Sequence, residues 1–290
     1  MRLCIVGLCV MAATLTAAQP SQDRWFDSNG TRIRYVEQGS GQPLLLIHGY
    51  TRSIETNWIE SGVFQELAKS YRVIAFDLRG HGKSDKPHDP AAYGREIMLD
   101  AVRLLDHLRI QKAHIVGYSL GAVIAAKLLT TNPERFLTAT LGGHAGFRNW
   151  RPELAQSAER TALELESDVP FRSLVVAMTP ADEPKRTEEE IRKRSAALAV
   201  GNDVKALAAY QRGGTRDLNA TDAEVSAITV PVLAVIGSLD NVKSVTLLKT
   251  LLPSLEVVVI DGATHAGDRA AFARPEFPAA IRGFIASRGK

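Results

Sequence analysis

The chain has almost no cysteine: Cys4 and Cys9 are the two in 290 residues, and both fall in the first apolar run. Loss of that run leaves a chain without thiols. Disulfides, thiol nucleophiles and thiolate metal sites are then excluded together. Clustered charge is also missing. Lys+Arg 35 nearly balance Asp+Glu 32, for a net charge of +3, and the densest charged run, Asp182 to Arg194, mixes both signs. A polyanion partner needs a one-sided basic face, so nothing here points to nucleic acid. Long hydrophobic runs are scarce. Leu3 to Ala17 is apolar apart from Thr14 and Thr16, which is shorter than the ~20 residues that span a bilayer. Preceded by Arg2 and followed by small residues, it reads as a signal peptide over 1–18, cleaved after Ala18. The expectation is a secreted or periplasmic protein without stable membrane insertion, an uncleaved anchor being the alternative. There is no H-E-x-x-H and no G-x-x-x-x-G-K, so neither metal nor cofactor is expected.

What is present is an alternation. Asn29-Gly30 between "RWFDS" and "TRIRYVEQG" is a hairpin signal. Short apolar runs follow at 44–47, 73–76, 114–118, 136–141, 232–236 and 257–260, as in strands buried on both faces. Helix-like segments lie between and after them at 92–108, 120–131, 242–251 and 270–286. Strand and helix in alternation predict an α/β fold, a mostly parallel sheet with helices on both faces. Residues 148–222 break this rhythm with many charges and several helix starts. Thr187 with Glu190, and Thr221 with Glu224, fit capping boxes. A helical insertion is the simplest reading, dividing the core into 19–147 and 223–290.

One stretch carries chemistry. In "HIVGYSLGAVIAAKLL" (114–129) a G-x-S-x-G pattern sits where a strand runs into a helix. A serine on such a turn is presented on strained backbone, and glycine two residues before and after removes collisions with strand and helix. Ser119 is therefore the candidate nucleophile. Its hydroxyl needs a base, and the base needs a carboxylate to hold its tautomer. With this motif the order along the chain is serine, acid, histidine. His265 is the only histidine beyond residue 144 and follows the last apolar run. Asp240, one loop past "VPVLAVIGSLD", is the favoured acid, with Asp261 and Asp268 as rivals. The oxyanion donors are expected to be the backbone amides of Leu120 and Tyr50. His48 lies too early in the order and is expected to brace its loop. Trp58, His144 and Trp150 are candidates for the substrate pocket.

Together "LLLIHGY" (44–50), "FDLRGHGKSDKP" (76–87), "VGYSLG" (116–121), "PVLAVIGSLD" (231–240) and "GATHAG" (262–267) resemble an α/β-hydrolase of the esterase, epoxide-hydrolase and cofactor-free haloperoxidase-like superfamily. The resemblance implies that 148–222 is a lid, that Asp240 is the acid three residues after Gly237, and that His81 and Ser84 brace a loop. Relatives that open epoxides or displace halide have aspartate where this chain has Ser119. The resemblance thus implies acyl transfer: hydrolysis of a small carboxylic ester or lactone through an acyl-enzyme. Alternatives are a ligand receptor on the same fold, a C–C bond hydrolase and a cofactor-free perhydrolase. Turnover of a generic short-chain ester separates enzyme from receptor.

Overall fold

Asn29 and Gly30 both take positive φ, 56° and 80°. The chain turns back there, and β1 (Arg24–Ser28) pairs antiparallel with β2 (Thr31–Gln38), Ser28 opposite Thr31. This hairpin forms one edge of the sheet in a computed structural model that describes residues 22–180 and 182–288. The expected signal peptide, 1–18, lies outside the described residues.

The strands that follow are β3 (Pro43–Ile47), β4 (Arg72–Phe76), β5 (Ala113–Tyr118) and β6 (Phe136–Gly142), then two-residue β7 (Phe147–Arg148) and β8 (Asn219–Ala220), then β9 (Val232–Gly237) and β10 (Glu256–Ile260). Eight of them make one sheet in the order β1-β2-β4-β3-β5-β6-β9-β10, while β7 and β8 pair separately. All neighbours from β4 to β10 are parallel. The helices are α1 (Val63–Ala68), α2 (Arg95–His107), α3 (Leu120–Thr131), α4 (Pro152–Leu165), α5 (Arg172–Ala177), α6 (Glu188–Val200), α7 (Val204–Gly214), α8 (Asp222–Ser226), α9 (Val242–Leu251) and α10 (Glu276–Arg288).

Side-chain alternation explains the layers. Along β3, Leu45 and Ile47 join a core with residues of α2 and α3, while Leu44 and Leu46 join one with α1 and α10. A strand apolar at every position is thus buried on both faces. Each such side chain contributes roughly 1.5–3 kcal/mol by leaving water. The insertion between β6 and β9 has a third core, including Ala162, Phe171, Val175, Ile191 and Leu207, that rests on Tyr50. Both capping boxes form, at Thr187 with Glu190 and at Thr221 with Glu224.

Three expectations are corrected. The run at 257–260 is an edge strand, with Val257 and Val259 40% and 48% exposed, so one of its faces meets solvent. The helix expected over 270–286 starts only at Glu276, because Pro275 has no amide to continue a helix through it. The helix expected from residue 92 starts at Arg95, after Gly94 at φ 60°.

His81 and His114 are buried and His144 is half-buried, each without a charge partner. Burial pulls His81 down to about 3 and His114 down to about 4. Desolvation, with the neighbouring His265 second, pulls His144 down to about 4. In the unfolded chain these imidazoles titrate near ~6.5. Below that pH the unfolded state binds protons that the folded state refuses, so stability is full above ~6.5 and falls as pH drops toward 4. Thermal unfolding followed from pH 7 to pH 4.5 should show Tm declining throughout. A flat Tm over that interval contradicts the assignment.

Candidate active site

Strand β5 ends at Tyr118 and α3 begins at Leu120, leaving Ser119 between them at φ 53°, ψ −113°. That backbone is costly for a residue with a side chain and persists only where the surroundings enforce it. The Ser119 amide donates to the Gly142 carbonyl of β6 at 2.8 Å, and its carbonyl accepts from Val123 at 3.1 Å. A Cβ on Gly117 would stand 2.0 Å from the Gly121 carbonyl oxygen, and one on Gly121 2.0 Å from that of Ile47. Only glycine fits at either place.

The loops after β9 and β10 are stitched together. The Ser238 amide donates to Ile260 and the Leu239 amide to Ala263, at 2.9 and 3.0 Å. Asp240 and His265 therefore face each other across neighbouring strand ends. The His265 Nδ1 lies 2.8 Å from Asp240 Oδ2, and its Nε2 lies 2.9 Å from Ser119 Oγ. With Asp240 ionised, Nδ1 carries the proton and Nε2 is left to accept one from Ser119. The second oxygen of Asp240 accepts the Asn241 amide at 2.6 Å. Asp261 is occupied elsewhere: its carboxylate accepts the Ser238 hydroxyl at 3.2 Å. Asp268 lines the cavity above Ser119 and makes no hydrogen bond to His265.

Gly49 faces Ser119 closely, a Cβ built there standing 3.2 Å from the serine Cβ. This brings the 48–52 turn beside the serine, with Tyr50 in the cavity wall. The Leu120 amide opens α3 and is one of the donors a helix start leaves free. His48 is fully buried; its Nδ1–H donates to the Gly49 carbonyl at 2.8 Å and its Nε2 accepts the Leu78 amide at 3.0 Å. Both nitrogens are committed to the loop. In agreement, burial holds its imidazole below the usual range. His81 also binds backbone, at the Arg79 carbonyl.

A cavity of about 760 Å³ opens over Ser119 and His265, within the range of small-molecule sites. Its apolar wall includes Leu174 and Val175 of α5, Met178 just after it, and Leu198 of α6.

The three aromatic pocket candidates are not in this wall. Trp58 is fully buried and stacks on Phe277 at 6.4 Å, in the core beneath α10. Trp150 lines a separate cleft near α2, under the Arg216 guanidinium at 5.0 Å. His144 accepts the Gly146 amide at 3.0 Å and packs on Phe147. Two functional contacts went unread in the sequence. Tyr118 donates its hydroxyl to the His265 carbonyl at 2.7 Å, fixing the loop that carries the imidazole. Asn57 accepts the Gly49 amide at 2.9 Å, fixing the turn beside Ser119. The aromatic directly before Ser119 is the one local signal for either contact.

Among the described residues, no group of three or more His, Cys, Asp or Glu side chains comes together as a metal site, and no helix is long and apolar enough to cross a membrane.

Known proteins agree on the fold. The alpha/beta hydrolase fold family matches residues 42–267. The 2-hydroxymuconate semialdehyde hydrolase of Pseudomonas sp. strain CF600 is 42% identical over 130 residues, 44% of this chain and 45% of that protein. The soluble epoxide hydrolase of Corynebacterium sp. strain C12 is 40% identical over 99 residues, 33% of this chain and 32% of that one. These matches span less than half of either relative. The solved structure of an N-acyl homoserine lactone degrading enzyme superimposes with a TM-score of 0.67 at 26% identity, covering 90% of this chain and 100% of that one. The match over 42–267 covers most of the sequence, and the chain belongs to the alpha/beta hydrolase fold family.

Proposed function

We propose that the protein hydrolyses a small carboxylic ester or lactone through an acyl-enzyme on Ser119. The observation that carries this reading is the unbroken relay from Ser119 Oγ to His265 Nε2 at 2.9 Å and from His265 Nδ1 to Asp240 at 2.8 Å. In this reading His265 takes the serine proton as Oγ attacks the carbonyl carbon. The amides of Leu120 and Tyr50 receive the charge that grows on the carbonyl oxygen. The imidazolium returns the proton to the leaving alkoxide, and water, deprotonated by the same imidazole, releases the acid. The insertion forms the wall above the serine and acts as its lid.

A second reading, C–C bond hydrolysis, draws support from the similarity to the semialdehyde hydrolase. A panel of chromogenic esters of increasing acyl length separates the two. Steady turnover of short acyl chains is expected, and no turnover across the panel contradicts ester hydrolysis.

The pH dependence gives a further test. His265 must be neutral to accept a proton, so kcat/KM should fall along one acidic limb, since it reports the base of the free enzyme. His81 and His144, held at about 3 and about 4, are already neutral above pH 5. His144→Asn should therefore leave the limb in place. A limb that vanishes in His144→Asn names the wrong base.

A further inference from the structure

The cavity over Ser119 has an unbalanced wall. Four arginines line it, Arg52, Arg186, Arg194 and Arg269, against two carboxylates, Glu183 and Asp268. Arg269 is spoken for, since its guanidinium pairs with Asp182 at 2.9 Å and Glu183 at 3.1 Å. Among the described residues the other three are in no ion pair. Arg186 donates to neutral oxygens, the Val175 carbonyl and the Thr179 hydroxyl at 2.7 Å. Arg194 stands exposed on α6.

Arg52 is the informative one. It lies three residues past Gly49 on the turn beside Ser119, closed by its own amide donating to the Gly49 carbonyl at 3.1 Å. Its guanidinium packs over the Phe272 ring at 5.6 Å, and Phe272 stands edge-on against Tyr118, the residue before the serine, at 4.8 Å. The group is thus held at the reacting end of the cavity. Its withdrawal from water pulls its pKa below the usual arginine value. An arginine so placed stays charged and presents a planar fork of donors that suits a carboxylate. Arg52 is half-buried; a cation partly withdrawn from water without a partner is unfavourable, and an anionic ligand supplies what the fold leaves out.

We infer that the substrate is an acidic ester or lactone, carrying a carboxylate that Arg52 binds while Ser119 attacks the acyl carbon. Arg186 and Arg194 add the same sign along the wall and draw the anion in. The inference rests on the hydrolytic reading above and names its substrate class.

The test compares p-nitrophenyl hemisuccinate with p-nitrophenyl butyrate, which share a leaving group and acyl length and differ in the terminal carboxylate. Wild-type protein should prefer the hemisuccinate in kcat/KM by about tenfold to a hundredfold, the scale of a charge-assisted hydrogen bond. In Arg52→Gln the ratio of the two should fall by about tenfold or more. Arg52→Met, which keeps the packing on Phe272, should lose the ratio equally, and Arg52→Lys should restore part of it. Binding of the same two esters to Ser119→Ala, measured by calorimetry, gives a readout free of chemistry. Tighter binding of the hemisuccinate without turnover by wild type supports the acidic-ligand inference and removes the hydrolytic one. Equal turnover of both esters, with a ratio unmoved in Arg52→Gln and Arg52→Met, overturns the acidic class and leaves hydrolysis standing.

Discussion

Ser119→Ala should fold like the parent and lose on the order of 10⁴–10⁶ in kcat toward any ester the protein turns over, as other serine triads do. The methyl group of alanine occupies the serine Cβ position, so the strained turn at φ 53° and its hydrogen bonds to Gly142 and Val123 are kept. Only Oγ disappears. What remains is a histidine with no hydroxyl to deprotonate, and the residual rate comes from binding and the oxyanion donors. Kinetics on a short-chain chromogenic ester, together with an unchanged Tm, check this. A variant with more than a tenth of the wild-type kcat excludes Ser119 as nucleophile.

Asp240→Asn should lose about 10⁴ in kcat, because the neutral amide no longer enforces the tautomer with a proton on Nδ1 of His265. The carboxylate of Asp240 is largely shielded, with 8% of its side chain exposed, and touches His265 at 2.8 Å. The same change at Asp261 leaves an amide oxygen that still accepts the Ser238 hydroxyl, on the exposed side of the loop. Asp261→Asn should stay within about threefold of wild type, the scale of one weakened exposed hydrogen bond. The opposite ranking of the two variants contradicts the relay.

These residues were legible in the sequence because local chemistry demanded them. Gly117 and Gly121 flank Ser119 since a Cβ at either position meets backbone at 2.0 Å, a constraint that leaves its mark on the residue type itself. Asn29-Gly30 marked its turn for a similar reason, since two successive positive φ values suit few other pairs. Chain order selected His265, and strand order placed Asp240 beside it. The cavity wall was not legible. It is assembled from α5, α6 and the 48–52 turn, segments far apart in the chain, and no local pattern reports that meeting. An indole offers large apolar area, so Trp58 served the core equally well and was taken there. Trp150 went to a different cleft. Arg52 reads in the sequence as one more surface cation, and only packing on Phe272 beside Tyr118 gives it a direction.

The proposed acyl-enzyme on Ser119 is tested most directly by a fluorophosphonate. Incubation with excess reagent, followed by intact mass and peptide mapping, reads both stoichiometry and position. One phosphonyl group per chain is expected, on the peptide carrying Ser119, with esterase activity lost in step with labelling. A label on any other residue, or full activity in protein that carries no label, contradicts the account.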